Sequence, residues 1–305
     1  MKRPFSLSAG VKTSAPSAMR IIMVLISAGL LSNSILNGLP IQTTSPGETV
    51  RELEATLGKI QRLESDYLEN LYTLARLQAR LGHREEAYLA LDHVVGAGFN
   101  DLGRLRTDAA FQEFRSEALF DSLVRRTKRN GSIRDWENPD REEVRKLDQI
   151  LKTLAFKSGE RVADIGAGSG TFTFPVAEAI GSTGFVWAMD ISPEMIEYLD
   201  FRIQARKAAN VTARRVPPDD PQLQPGSLDT ILMFYTLHYV KDRVAYGTKL
   251  KEGLAPGGRL VIISHISGKF FNKELIDREL KAAGFRLKDS HDFLSGQLFL
   301  IYVPE

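Results

Sequence analysis

The stretch VADIGAGSGTF, residues 162–172, decides the fold of this 305-residue chain. It starts with a short apolar run, continues with an acid and then places glycines at three alternate positions. Glycine tolerates positive φ angles and has no Cβ atom, so such a loop lets the backbone approach a ligand closely. Residues 172–180 have the composition of a helix. The stretch therefore predicts a strand, a loop and a helix, the unit that a nucleotide site requires.

A second acid follows at the end of the next apolar run. Residues 184–189 are apolar, Asp190 comes twenty residues after Gly170, and Ile191 follows it. An acid at the end of the second strand of an α/β unit accepts hydrogen bonds from ribose hydroxyls, so the two motifs together indicate an adenosine-containing ligand. The alternative for Asp190 is a solvated acid at a strand end.

The spacing of the glycines separates two classes of cofactor. The nicotinamide pattern GxGxxG would end at Thr171, whereas this chain has GxGxG. Asp164, two residues before the first glycine, also belongs to the other class. The stretch resembles motif I of the class I S-adenosylmethionine-dependent methyltransferases, and Asp190 resembles their ribose-binding acid. The resemblance implies S-adenosylmethionine as the cofactor, bound by Asp164, Gly166, Ala167, Gly168, Gly170, Asp190, Ile191 and Tyr235.

The resemblance covers residues 136–303 and implies an α/β fold. The predicted helices are 193–208 and 243–254, and a hairpin is predicted over 284–303. The alternation of strand and helix favours a doubly wound sheet on physical grounds alone. The prediction is a mostly parallel, seven-stranded, Rossmann-like sheet preceded by a small all-α domain. The five strands before the hairpin are predicted at 161–165, 185–190, 211–216, 230–235 and 259–264.

Three further segments narrow the resemblance to a bacterial group. Residues 136–141 (WENPDR), 190–195 (DISPEM) and 219–221 (DDP) are similar to the ubiquinone and menaquinone type methyltransferases. In such enzymes an acid after strand 3 meets the adenine amino group. Pro217 stands where a Gly-Asp pair often places that acid, so the role falls to Asp219 or Asp220. The alternative is that both acids initiate the turn at Pro221.

The mechanism that the resemblance implies is direct displacement of a methyl group. Such a reaction depends mainly on alignment and on the exclusion of water, and a base is needed only when the acceptor carries a proton. Residues 235–240 follow strand 4, at the edge where open α/β sheets bind ligands. His238 is the candidate base and Tyr239 the candidate for orienting the acceptor, with His265 at the same rim. The alternative for His238 is a hydrogen-bonded packing residue.

Composition excludes several kinds of chemistry. The chain has no cysteine, which removes thiol nucleophiles, thiolate metal sites and disulfides. The five histidines show no pair at metal-ligand spacing with acids on one face, so we predict no metal. With 43% hydrophobic and 26% charged residues, the composition is that of a soluble globular protein. A net charge of +2 gives no support for a nucleic-acid partner.

Residues 1–47 form a segment of a different kind. They contain four basic residues and no acid, and residues 21–31 are an apolar run. A basic flank, a short apolar core and small residues are typical of a signal peptide, while an uncleaved membrane anchor and a mitochondrial-type targeting segment are alternatives. We therefore expect membrane association or export through this segment, with a soluble catalytic domain. Export conflicts with the cytoplasmic synthesis of the cofactor, so a location of the catalytic domain on the cytoplasmic side is not excluded.

A helical domain is predicted over residues 48–130. Helical spacing at 66–81, a break at Gly82-His83 and a second helix at 85–95 resemble one tetratricopeptide repeat. One repeat with trailing helices makes a small domain that offers a surface to a protein partner or a lid. The composition of residues 130–132 (NGS) favours a turn and places a boundary before the methyltransferase domain, 131–305. Residues 140–154 are predicted to form a helix over the cofactor and acceptor entrance.

Two functional hypotheses follow. The first is an enzyme that methylates a small acceptor, and the second is a scaffold that uses a methyltransferase fold to serve interactions of the helical domain. Aromatic residues near Trp136, at 235–241 and at 267–271 suit a flat or lipophilic acceptor.

Overall fold

The computed structural model describes residues 46–266 and 271–305. The chain divides into two compact units, which join in sequence at Tyr67 and Leu68. Helix α1 (Pro46–Arg80) starts in the first unit and continues into the second. The leader predicted at 1–47 lies outside the described residues except for its last two positions. Within the described ranges, no helix combines the length and apolar character of a membrane span.

The second unit starts with a helical region. After α1 come α2 (Arg84–Gly96), α3 (Leu102–Thr107), a 3₁₀ helix (Ala109–Phe114) and α4 (Ala118–Trp136). These elements share one apolar core, in which the ring of Tyr72 stacks on Phe99 with centroids 4.8 Å apart. The two helices predicted around Gly82-His83 are present, while their resemblance to a tetratricopeptide repeat stays a prediction.

Helix α4 contradicts the turn predicted at residues 130–132. The helix runs without interruption to Trp136. The side-chain amide of Asn130 donates to the carbonyl oxygens of Val95 at 2.8 Å and Phe99 at 3.0 Å, at and beyond the end of α2. This tertiary contact outweighs the local preference of Asn and Gly for a turn. The domain boundary placed at 130/131 stays a prediction, but no break in secondary structure marks it.

The remaining chain forms the predicted sheet. Two short helices, α5 (Glu142–Arg145) and α6 (Leu147–Leu154), replace the single helix predicted at 140–154. Seven strands then pair in the order β3-β2-β1-β4-β5-β7-β6, with only β7 antiparallel to its neighbours. This order confirms the predicted fold class. The strands are β1 (Arg161–Ile165), β2 (Phe185–Asp190), β3 (Val211–Arg215), β4 (Leu228–Phe234), β5 (Leu254–His265), β6 (Phe285–His291) and β7 (Gln297–Pro304).

Helices cover both faces of the sheet. On one face α6, α7 (Thr173–Ile180) and α8 (Pro193–Arg206) pack on a core that includes Leu232 and Phe234. On the other face α9 (Arg243–Gly253) and α10 (Lys273–Ala282) pack on Ile231 and Met233. Strand β4 is therefore apolar on both sides, as expected for a central parallel strand.

The strand order places the site. Strand β1 lies between β2 and β4, so the chain leaves β1 toward one side of the sheet and later continues from β4 toward the other. Ligands bind at such a switch point, outside the carboxyl ends of the strands. The loops after β1 and β4 meet there.

Alanine substitutions at two helical glycines, Gly131 and Gly247, test the packing of this fold. An added Cβ at Gly131 would have Asn100 O as its nearest neighbour at 3.6 Å, whereas one at Gly247 would lie 2.8 Å from Ala283 Cβ. We expect Gly131→Ala to raise the free energy of unfolding by about 0.5–1 kcal/mol, because a helical alanine loses less backbone entropy than glycine. The matched Gly247→Ala change should lower it by about 1–3 kcal/mol through overpacking. Urea unfolding of both variants measures this, and a destabilised Gly131→Ala protein would contradict the continuous helix.

Candidate functional site

The glycine loop after β1 lies against the segment after β4 and the end of α4. Gly166 and Gly168 have φ angles of +76° and +56°. A Cβ on Gly166 would lie 2.1 Å from Thr236 Oγ1, after β4, and one on Gly168 would lie 2.8 Å from Trp136 Cζ3, at the end of α4. Both positions therefore require glycine for its φ angle and for the space that its neighbours occupy.

Backbone hydrogen bonds fix the shape of this loop. The N–H groups of Gly166 and Ala167 both donate to the carbonyl oxygen of Met189 on β2, at 2.7 and 2.9 Å. The N–H of Gly170 closes the loop by donating to Ala167 O at 2.9 Å. The loop is thus held to the end of β2, the strand that carries the second predicted acid.

Asp190 joins the glycine loop to the start of α8. Its Oδ2 accepts from the Gly168 N–H at 3.0 Å, and its Oδ1 accepts from the Ser192 N–H at 2.9 Å. Burial raises the pKa of Asp190, against the effect of these backbone bonds. A carboxylate has about four lone-pair sites, and the N–H groups of Gly168, Ser192 and Ile191 use about three of them, so about one remains for a ligand. The geometry favours a role in the site over that of a freely solvated acid, and the ribose contact stays a prediction.

Asp164 lies beneath the loop. Its side chain is buried, and Oδ2 accepts a hydrogen bond from Thr173 Oγ1, in the first turn of α7, at 2.5 Å. Burial raises the pKa of Asp164 to about 6, with a smaller contribution from Asp190. The contact to Thr173 gives Asp164 a structural role, and a direct contact with cofactor stays a prediction.

Tyr235 forms the rim after β4. It has a φ angle of +57°, a conformation that costs a non-glycine residue about 1–3 kcal/mol and is often found at functional sites. Its N–H donates to Ile263 O at 2.7 Å, and its hydroxyl donates to Gln297 Oε1. The ring has two neighbours: the Arg141 guanidinium, 5.1 Å from its centroid, and the His265 ring, whose centroid is 4.7 Å away. Burial and the charge of Glu143 raise the pKa of Tyr235.

A buried carboxylate at this rim was not predicted from the sequence. Glu143 is 2% exposed, pairs with Arg141, and its Oε2 accepts from Gln297 Nε2 at 3.3 Å. Its neighbours in sequence, Arg-Glu-Glu-Val-Arg-Lys, are typical of a solvated helix. In the sequence, the one indication of a functional role here was the similarity of residues 136–141, which include Arg141, to the ubiquinone and menaquinone type methyltransferases. The segment that precedes β1 is thus joined to β7, beside Tyr235, by the contacts among Arg141, Glu143 and Gln297.

The two predicted catalytic residues lie on a 3₁₀ helix, Leu237–Tyr239. His238 Nδ1 is 3.3 Å from Ser264 Oγ, and its ring lies 4.0 Å from Tyr239 and 5.8 Å from Phe271. Burial lowers the pKa of His238, and the nearby His265 lowers it further. Tyr239 is 78% exposed. His238 is therefore a half-buried, oriented imidazole whose neutral form is favoured, as a proton acceptor requires.

The acids after β3 have another arrangement. Asp220 Oδ1 accepts from the Gln222 N–H at 2.8 Å, and Oδ2 lies 3.3 Å from Lys249 Nζ. The Gln222 bond and Lys249 lower the pKa of Asp220. Asp219 is exposed, and its carbonyl oxygen accepts from Lys249 at 3.0 Å. The geometry favours the turn alternative for Asp220, and the adenine contact stays a prediction.

The structure brings most of the predicted residues to one edge of the sheet. Ile191, directly after Asp190, is 55% exposed and offers an apolar surface there. In the described part of the chain, no group of three or more His, Asp or Glu side chains is arranged to hold a metal ion. The edge carries the glycine loop, Asp190, Ile191, Tyr235, His238 and Tyr239.

The C-terminal part of the chain is similar to known methyltransferases. Residues 163–260 match the family model described as a methyltransferase domain. The aklanonic acid methyltransferase DauC of Streptomyces sp. (strain C5) is 33% identical over 109 residues, which are 36% of this chain and 50% of that protein. A demethylmenaquinone methyltransferase of Geobacillus sp. (strain WCH70) is 23% identical over 157 residues, 50% of this chain and 63% of that protein. The chain thus spans 50% and 63% of the length of these relatives.

A solved structure has the same fold. The crystal structure of a SAM-dependent methyltransferase from Aquifex aeolicus aligns with a TM-score of 0.52 at 23% identity, covering 56% of this chain and 96% of that chain. Residues 163–260 thus match a methyltransferase domain, and the sheet has the class I methyltransferase fold. The predicted family resemblance is confirmed.

The buried Asp164 predicts an unusual dependence of stability on pH. Its folded-state pKa of about 6 lies above the unfolded value of ~3.9, so its stabilising contribution is complete below pH ~4 and is lost as the pH rises through 6. We expect the unfolding free energy of Asp164→Asn, relative to the unaltered protein, to rise by up to ~3 kcal/mol from pH 4 to pH 7. Urea unfolding at several pH values measures this difference.

Asp220→Asn is the matched control. The pKa of Asp220 is lowered, so its contribution is present above the unfolded pKa and is lost as the pH falls. The unfolding free energy of this variant relative to the unaltered protein should therefore change with pH in the opposite direction. A pH-independent difference for Asp164→Asn would show that Asp164 is as ionised in the folded state as in the unfolded chain.

Proposed function

We propose that this protein transfers a methyl group from S-adenosylmethionine to a small acceptor. One observation carries the proposal: Asp190 holds the backbone of the glycine loop at the carboxyl end of β2 and keeps about one lone-pair site for a ligand hydroxyl. The residues present fit an adenosine ligand. The glycines have no side chains of their own, so the loop backbone is bare except where Thr236 and Trp136 approach it, and the exposed Ile191 offers an apolar face beside the acid. The family match and the fold support the same function.

The chain contributes alignment and electrostatics. When bound, S-adenosylmethionine supplies an electrophilic methyl group on a sulfonium centre. The Gly166–Gly170 loop and Asp190 hold the adenosine part, and the rigid rim at Tyr235 limits the approach of the acceptor. Such positioning accounts for much of the rate of a displacement reaction.

His238 accepts the acceptor's proton in this proposal. It lies after β4 at the same edge as the glycine loop, its orientation is fixed by Ser264, and its lowered pKa keeps it neutral near pH 7. The exposed Tyr239 hydroxyl orients the acceptor beside it.

The acceptor in this proposal is small, flat and lipophilic. The rings of Tyr239 and Phe271 lie against His238, and Ile266 is 48% exposed after β5. The names of the two relatives give aklanonic acid and demethylmenaquinone as what those proteins methylate. Two further parts of the proposal depend on sequence alone: membrane association or export through residues 1–47, and a protein partner for the helical region.

Calorimetric titration tests cofactor binding directly. We expect S-adenosylmethionine and its demethylated product to bind the unaltered protein. Methyl transfer from labelled cofactor into a lipid or metabolite extract then identifies the acceptor. Lack of binding by either compound at millimolar concentration would favour the scaffold hypothesis.

Asp190→Ala is expected to weaken cofactor binding roughly 10- to 100-fold. The change removes charge-assisted hydrogen bonds to the ribose, ~1.5–3 kcal/mol, and releases the loop at Gly168. Asp220→Ala is the control, since the Asp220 carboxylate is bound to the turn and to Lys249. If calorimetry gives Asp190→Ala and the unaltered protein the same affinity for the cofactor, Asp190 does not contact the cofactor.

His238→Gln is expected to lower kcat about 10²- to 10⁴-fold for an acceptor that loses a proton, with cofactor affinity unchanged. His265→Gln should have a smaller effect, because His265 is exposed and its ring packs on Tyr235, with centroids 4.7 Å apart. In the unaltered enzyme, kcat should decline as the pH falls below the ordinary histidine pKa, because burial lowers the pKa of His238. An unchanged rate in His238→Gln would give this residue the packing role instead.

A further inference from the structure

The C-terminal end of α4 lies on the glycine loop. Helix α4 has its buried residues Phe120, Leu123 and Thr127 in or near the core of the helical region, yet its last residue, Trp136, reaches the loop after β1. The indole approaches Gly168 so closely that a Cβ there would lie 2.8 Å from Cζ3 and 3.0 Å from Cε3. Gly168 therefore contacts Trp136 and also donates its N–H to Asp190.

Two arginines hold this end of the helix. Arg202 of α8 pairs with Glu137, directly after Trp136, and donates from Nη1 to Ser169 O of the glycine loop at 2.7 Å. Arg141 donates from Nη1 to Trp136 O at 3.1 Å while its guanidinium lies over the ring of Tyr235. The helix end is thus tied to α8, to the glycine loop and to the rim after β4.

These contacts fix Trp136 in place without burying it. Its exposed fraction is 38%, so part of a large aromatic surface remains accessible. An indole provides a rigid apolar face with little conformational entropy to lose, which suits contact with a flat heterocycle. The indole contacts Gly168, whose N–H donates to Asp190, so Trp136 lies near the predicted ribose position.

We propose that Trp136 contacts the adenosine part of the bound cofactor and forms one wall of its site. The inference depends on the proposed function, since it concerns the same ligand. It gives the helical region a part in the cofactor site itself, in addition to any partner surface. Because the adenosine part is common to S-adenosylmethionine and its demethylated product, the wall serves both equally.

Tryptophan fluorescence tests the contact. The chain has two tryptophans, and Trp187 on β2 packs against Phe185 with ring centroids 4.5 Å apart. In Trp187→Phe protein, addition of the demethylated product should change the emission of Trp136 saturably, with the Kd that calorimetry gives. In Trp136→Phe protein, calorimetry should still detect binding, with little change in the emission of Trp187.

Affinity provides the second measurement. Trp136→Ala should raise the Kd of both compounds about 10-fold or more and by the same factor, while Trp136→Phe should stay within about 3-fold of the unaltered protein. Leu119→Ala is the control, because Leu119 is a large exposed apolar residue, 54% exposed, at the opposite end of α4. Circular dichroism of each variant checks that it is folded.

The outcomes separate the two proposals. Failure of the unaltered protein to bind either compound would overturn the proposed function and this inference with it. Binding with unchanged Trp136 emission, or with the affinity of folded Trp136→Ala equal to that of Leu119→Ala, would overturn this inference alone. A selective loss of affinity for S-adenosylmethionine would place the indole at the sulfonium and overturn the adenosine assignment.

Discussion

The hydrogen bond between the Gly168 N–H and the Asp190 carboxylate is the contact on which the site depends. It joins the loop after β1 to the end of β2, and the same carboxylate receives the Ser192 N–H at the start of α8. One half-buried acid thereby sets the distance between two loops and a helix. Burying such a charge is costly unless it is hydrogen-bonded, and here backbone donors meet both oxygens.

The loop that Asp190 holds is also closed from other directions. Thr236 approaches Gly166 from the end of β4, and Trp136 approaches Gly168 from α4. Each approach needs a glycine, because a Cβ would occupy the neighbour's position. The strand order brings the loop and the end of β4 together, because β1 lies between β2 and β4 and their carboxyl ends share one edge. The end of α4 reaches the same place through the contact of Trp136 with Gly168.

The other side of this edge contains a polar network in an otherwise apolar setting. Glu143 is buried, and its ion pair with Arg141 and the hydrogen bond from Gln297 compensate for the loss of water. Tyr235 completes the arrangement through its hydroxyl and its backbone bond to β5. The rim is therefore rigid, as a reaction that depends on alignment requires.

The sequence by itself determined the sheet and the glycine loop. Three local patterns indicated them: the alternation of strand and helix, the GxGxG spacing and the acid at 190. Such patterns are informative because central strands and tight turns tolerate few residue types. Strands β1 and β2 have the predicted bounds. Tertiary structure alone decided that α4 continues through residues 130–132, that Asp220 binds Lys249 and that Glu143 is buried. Each of these outcomes depends on a partner distant in sequence, such as Val95 for Asn130 or Gln297 for Glu143, and local composition carries no record of that partner.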